Sequence, residues 1–172
     1  MKWFWSIAAL ALLAGCGQSY RDGQVPMSSI AVFDAEKYAG LWYEVASFPT
    51  PFQAGCANTT AEYALRADGT LSVLNTCLKA EGESVIAGSA TVVGPGRLAI
   101  KLDGVPVNAP YWVLWVDEGY RTAVVGVPSG RAGWILNRTP DIPADRLAAA
   151  RRVLEFNGYD LDALVTTPRA RP

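Results

Sequence analysis

The chain has no histidine among its 172 residues. That absence removes the side chain that most often serves as general base or metal ligand, and with it every Ser–His or Cys–His catalytic couple. Charge is sparse as well. Asp, Glu, Lys and Arg make up 18% of the residues, the net charge is −1, and the basic residues are scattered. Nucleic-acid binding needs a basic patch, and there is none. Cysteine is limited to three, without metal-ligand spacing, so neither a metal nor a cofactor is expected. Carboxylates in catalytic pairs are missing too. Asp117 and Glu118 are neighbours in a turn, and Asp141, Asp145, Asp160 and Asp162 lie on segments that read as solvent-facing. The chain is therefore not expected to be an enzyme.

What is plentiful is apolar: 51% of the residues are hydrophobic, enough for one ordinary core and one domain. The first residues stand apart. "MKWFWSIAALALLAGC" has one lysine, an apolar run and a small-residue ending, the arrangement of a secretory signal over residues 1–15. The run falls short of the roughly 20 apolar residues a membrane-spanning helix needs. Residues 16–29, with Gly, Gln, Ser and Pro26, read as a tether, and residues 30–172 as the folded domain.

From there the pattern is β. Residues 41–48, 59–67, 70–77, 83–94, 97–102, 111–117, 121–127 and 131–139 are rich in β-branched and aromatic side chains. Turn-forming stretches such as "RADGT", "GPG", "DEGY" and "PSG" separate them. Such connections are too short for crossover helices, so the strands are antiparallel and sequential. Eight of them predict an all-β, up-and-down barrel, with a sandwich as the second architecture. Leu147, Ala150 and Leu154 then recur at helical spacing, with Pro143 before them and Gly158 after. They predict one C-terminal α-helix packed outside the barrel; its arginines make a membrane-surface helix the alternative. Residues 162–168 fit a short extra strand.

Cys56 and Cys77 flank a hairpin whose turn is Asp68-Gly69. They stand a few residues off direct register, and Cys56 lies in the loop before its strand, where a bend or bulge brings the two together. In an exported protein a disulfide is expected, with two free thiols as the alternative.

The stretch "GLWYEVASFP" is harder to read. Alternation puts Trp42, Glu44, Ala46 and Phe48 on one face and Tyr43, Val45 and Ser47 on the other, and neither is plainly polar. A cavity lining accommodates such a mixture, because water or a ligand's polar group solvates the glutamate. Alternation adds Tyr63 and Leu65, Val73 and Asn75, and Val92 to the inward candidates. Over 111–117 two apolar sets compete, Tyr111/Val113/Trp115 and Trp112/Leu114/Val116. Trp112 is counted among the pocket candidates.

Three stretches resemble the ordered signatures of lipocalins: "GLWYEVASF" with Gly40 and Trp42, "VDEGYRTAVV" with Asp117 and Tyr120, and "GWILNRTP" with Arg138. "TAEYALRADGTLSVLN" resembles a hairpin of bacterial lipocalins, and "LLAGC" resembles the lipobox of bacterial lipoproteins. Together they cover nearly the whole mature chain, which is similar to bacterial outer-membrane lipoprotein lipocalins; the Cys56–Cys77 bridge belongs to only part of that group. The resemblance implies a calyx, with an acylated Cys16 as membrane anchor. Gly17, not Asp, follows the cysteine, which implies the outer membrane, facing the periplasm. Gly40, Trp42, Asp117, Tyr120 and Arg138 are implied to close the barrel, with Arg138 over the Trp42 indole. The implied pocket is Glu44, Ala46, Phe48, Tyr63, Leu65, Val73, Asn75, Val92 and Trp112. The implied ligand is a hydrophobic small molecule, a fatty acid or lysophospholipid, bound for storage, transport or scavenging in the envelope. A structural or protein-interaction lipoprotein with a filled barrel is the rival reading. A homodimer is compatible with the sequence.

Overall fold

Residues 18–170 are described by a computed structural model; the expected signal peptide and Cys16 lie outside the described residues. Eight strands pair antiparallel in sequence order: β1 (Gly40–Ser47), β2 (Ala57–Leu65), β3 (Leu71–Lys79), β4 (Gly82–Gly94), β5 (Arg97–Leu102), β6 (Ala109–Val116), β7 (Thr122–Gly126) and β8 (Gly133–Asn137). β1 pairs with both β2 and β8, which closes the expected barrel. A short ninth strand, β9 (Val165–Thr166), adds to β1 beyond the point where β1 and β2 part. Turn chemistry sets this order. In the β2–β3 turn only Gly69 takes a positive φ, +81°, and Asp68 Oδ1 accepts from the Thr70 amide and hydroxyl at 2.9 and 2.7 Å.

One end of the barrel is covered by α1 (Ala35–Tyr38), which Asp34 caps by accepting from the Lys37 amide. α2 (Ala144–Phe156) buries Ala150 and Leu154 against β6 and β7, so the helix packs on the barrel. Gly158 follows it at φ +85°, a left-handed conformation that favours glycine.

The barrel consequently has two apolar layers. Inside lie Trp42, Tyr63, Leu71, Val73, Leu98, Tyr111 and Val113, packed against Tyr38. Outside, beneath Ala150, Leu154 and Tyr159, lie Val45, Ala46, Phe48, Leu114, Val124 and Ile135. The wall β6–β7–β8–β1 is thus buried on both faces.

Two bulges decide which residue faces which layer. The β1–β8 register shifts between Glu44 and Ala46, and the β6–β7 register between Val113 and Trp115. A bulge inserts one residue and inverts the alternation after it. Ala46 and Phe48, expected in the pocket, therefore lie outside the barrel, with Phe48 stacked on Tyr20 and Tyr159. Of the two sets over 111–117, Tyr111 and Val113 point inward, while Trp112, Leu114 and Trp115 pack in the outer layer. Trp112, also expected in the pocket, instead carries the Arg97 guanidinium 4.1 Å from its ring centroid.

The expected tether is a strap from residue 18 onward. The Tyr20 amide donates to Gly130 O at 2.8 Å and its hydroxyl to Pro49 O at 2.8 Å. Arg21 Nε donates to Asn157 O at 2.7 Å, and the Ser28 amide to Asn157 Oδ1 at 2.9 Å. Ser29 then reaches Pro95, at the opposite end of the barrel.

Candidate functional site

The closed end is built on β1. Gly40 has φ +99°, and a Cβ there would lie 3.2 Å from Arg138 Nη1. Trp42 is fully buried and its Nε1 donates to Tyr38 O at 2.8 Å. The Arg138 guanidinium lies 3.7 Å from the Trp42 ring centroid. It also donates to the carbonyls of Lys37, Tyr38 and Ala39 at the end of α1, to Leu41 O and to Tyr120 O, at 2.7 to 3.2 Å. These bonds satisfy carbonyls that a helix end leaves open. Burial lowers the Arg138 pKa from its ordinary value. In the β6–β7 turn, Asp117 accepts from the Thr122 amide at 2.7 Å and pairs with Arg121 Nε at 2.7 Å. Burial alone raises its carboxyl, but the bonds from Thr122 and Arg121 hold it below the usual range. Tyr120, at φ +51°, accepts from the Asp34 amide at 3.1 Å. Gly40, Trp42, Asp117, Tyr120 and Arg138 thus gather at one end and seal it.

Above that seal lies a hub of buried phenols. Tyr63 donates to the Tyr111 hydroxyl at 2.9 Å, and the Tyr38 hydroxyl stands 2.7 Å from the same oxygen. Burial pushes Tyr63 up to about 12 and lifts Tyr38 and Tyr111 well above the ordinary tyrosine value, so all three stay neutral. This half of the barrel is filled. Tyr63 and Val73, expected as pocket lining, belong to that filling. Leu65 and Val92 share the inner face with Leu71 and Leu98 by register, but stand at the rim of the closed end, 41% and 38% exposed.

The other half differs. Glu44 lies on the inner face opposite Leu136 and accepts from Gln53 Nε2 at 2.6 Å and Thr167 Oγ1 at 2.7 Å. Gln53, on the β1–β2 loop, accepts from Trp134 Nε1 at 3.1 Å and from the Thr50 hydroxyl at 3.0 Å. The tail after β9 fills the gap left by β1 and β2: the Thr167 amide donates to Val45 O and the Asn58 amide to Pro168 O. Cys56 and Cys77 form the expected disulfide, with Cα atoms 5.4 Å apart. The required bulge sits between Ala57 and Thr60, where Asn58 takes φ +50°. Beneath the loop opens a recess of about 370 Å³, lined by Glu44, Ser47, Gln53, Thr59, Val165 and Thr167 among others. The Thr59 hydroxyl is buried and has no hydrogen-bond partner among the described residues. Asn75 and Ile86 face each other by register on the inner wall, both incompletely buried. Sequence periodicity could find Glu44 and Asn75. It missed Gln53, which sits in a loop without a period, and Thr167, which only the fold brings to Glu44. No cluster of metal-binding side chains occurs among the described residues.

Residues 33–169 match the family model of the lipocalin-like domain. The chain belongs to the lipocalin family. It is 35% identical over 155 residues to temperature-induced lipocalin-1 of Arabidopsis thaliana, covering 84% of this chain and 83% of that one. Outer membrane lipoprotein Blc of Escherichia coli K12 is 34% identical over 142 residues, 77% of each chain. Apolipoprotein D of Bos taurus is 32% identical over 174 residues, 94% of this lipocalin and 92% of its own length. Among solved structures, insecticyanin of Manduca sexta superposes with a TM-score of 0.70 at 19% identity, over 89% of this chain and 88% of that one. That likeness shows the fold alone. Family membership carries small hydrophobic ligand binding, and the relative Blc is, by its name, an outer membrane lipoprotein.

Proposed function

We propose that this lipocalin binds one single-chain lipid in the mouth half of its barrel, held at the outer membrane on its periplasmic side by an acylated Cys16, and that it stores, carries or scavenges that lipid without chemical change. The observation that supports this reading best is the half-filled barrel. A purely structural barrel would be packed along its length, whereas here the phenol hub stops midway, Ile86 on the inner wall beyond it is left 36% exposed, and a recess opens beside Glu44 where β1 and β2 part. That recess, of about 370 Å³, is walled by β1, the β1–β2 loop, the first residues of β2 and the tail.

The side chains divide the ligand into two ends. Ile86 and Trp134 offer apolar surface to an acyl chain, and each buried methylene contributes about 0.8 kcal/mol. Glu44, Gln53, Thr59 and Thr167 offer hydrogen bonds to a head group near the mouth. A carboxylate at that point disfavours a second, bare carboxylate and suits hydroxyl or ammonium groups. Lysophosphatidylethanolamine is thus favoured over a free fatty acid of the same length.

The test is a titration of delipidated protein with acyl chains of increasing length, followed by tryptophan fluorescence. Affinity rises with length and levels off early, because the phenols occupy the barrel's lower half. A folded protein that binds no chain of any length, with either head group, leaves the structural lipoprotein reading in its place. The anchor is tested apart from this. Cys16→Ala moves the protein out of the membrane fraction, and a variant that stays there removes the anchor from the proposal.

A further inference from the structure

The open end carries exposed apolar side chains. Phe52, on the β1–β2 loop, is 65% exposed, and Val107, on the β5–β6 loop across the mouth, 64%. Phe156, on the last turn of α2, is 75% exposed, and the adjoining Asn157 holds the strap. Exposed apolar residues at the rim of a binding site mark a contact surface. Apolar exposure does not choose an end by itself, because Val32 and Val93 stand equally bare at the closed end.

The strap does choose. Tyr20 is fastened to Gly130 and Pro49, on the β7–β8 and β1–β2 loops, both at the mouth. Cys16 precedes it by four residues, a reach of at most about 14 Å. β1 alone has eight residues, which gives the barrel a height of roughly 20 Å once the strands tilt. An acyl anchor at Cys16 therefore reaches lipid on the mouth side and not past the closed end.

We infer that the mouth rim, through Phe52, Val107 and Phe156, docks on the lipid bilayer surface, so that the barrel stands mouth-down and exchanges its ligand directly with the membrane. The choice of the mouth over the closed end rests on the reading of Cys16 as the anchor, and the rim labels below read the contact separately from the anchor. Charges flanking the mouth have mixed sign, with Lys79 and Arg131 against Glu81, Glu83 and Asp103. Insertion of apolar side chains, not attraction to anionic head groups, is the driving term, and the contact should be little affected by salt.

The test uses the full chain recovered from envelope membranes and added to phosphatidylethanolamine–phosphatidylglycerol vesicles. Val107→Cys, Phe156→Cys and, at the opposite end, Val93→Cys are each labelled with a polarity-sensitive fluorophore. With lipid in excess, emission should shift to the blue at 107 and 156 and stay unchanged at 93, and adding Phe52→Asp should raise the lipid needed for the shift at 107. A shift at 93 instead, or none at 107 and 156, overturns the proposal. Retention of the chain on vesicles after dilution is scored separately. A chain that washes off yet shifts at 107 loses the anchor and keeps the docking face; a chain that stays on with silent rim labels does the reverse.

Discussion

The two ends of this barrel use aromatic and polar groups in opposite ways. At the closed end the buried donors have partners: the Trp42 indole N–H meets a carbonyl, and Arg138 spreads over five. At the mouth, Glu44 is held by two partners from outside the eight barrel strands, a loop glutamine and a tail threonine, and the Thr59 hydroxyl has none among the described residues. Saturated, buried groups make a rigid element, while loosely held polar groups beside a recess are where ligands bind and where local opening begins. Stability should therefore concentrate at the floor and recognition at the mouth.

The largest test of that contrast is Trp42→Ala, which should destabilise the fold by about 3–5 kcal/mol, as expected for a fully buried large aromatic. Phe48→Ala, in the outer layer between Tyr20 and Tyr159, should lose a similar amount in denaturant titration while leaving the affinity of the folded protein unchanged. A Phe48→Ala variant that weakens binding specifically would contradict its placement outside the barrel. Adding Arg138→Met to Trp42→Ala should still remove about 1–3 kcal/mol, because five carbonyls lose their donor independently of the indole. A double-mutant cycle measures the remaining coupling, expected at about 0.5–3 kcal/mol.

Next in size is the disulfide, the one covalent constraint on the mouth among the described residues. Replacing Cys56 and Cys77 with serine should lower stability by about 2–4 kcal/mol. Because the bridge ties Cys56, which lines the recess, to Cys77 on β3, ligand affinity should fall as well. Unchanged affinity would show that the recess is shaped without it.

The smallest effect sharpens the comparison from inside the floor. Tyr111→Phe should remove about 1–3 kcal/mol, since it strips the hydroxyl to which both Tyr38 and Tyr63 are bonded. The same hub sets a pH limit. Tyr63 is raised from 10.0 to about 12, so the folded state retains a proton that the unfolded chain gives up first. Its stabilising contribution is complete below pH 10 and is lost between pH 10 and 12 as pH rises. With no histidine in the chain, the denaturant midpoint should be nearly flat from pH 6 to 9 and fall above 10. In Tyr111→Phe the alkaline fall should change. A midpoint that declines through pH 7 would point to another titrating group.

How much of this was legible in the sequence differs from wall to wall. On β2 and β3, Thr60 and Glu62 face water while Tyr63, Leu71 and Val73 face the core, so alternation reported orientation correctly. The Asp-Gly turn, the cysteine pair and the helix from Ala144 were readable for the same reason: each is specified by a few residues close in the chain. Gly40, Trp42 and Arg138 were found by motif, although the carbonyls that hold Arg138 were not.

On β6, β7, β8 and β1 the sequence determined that strands form and could not determine which way they face. α2, Tyr20 of the strap and Tyr159 with the segment after it cover their outer surface, so both faces are apolar and alternation carries no sign. The bulge after Glu44 turns Ala46 and Phe48 outward and the bulge after Val113 turns Trp115 outward, each without a marker in the chain, while Trp112, before its bulge, faces out by plain alternation that two apolar faces made unreadable. The polar mouth was hidden for a different reason. Glu44 and Thr167 are 123 residues apart, and their contact exists only because the tail fills the gap where β1 and β2 separate. Local chemistry wrote the strands, turns and helix into the sequence, while the two faces of a doubly buried wall and the meeting of distant segments were decided by closure and packing of the barrel.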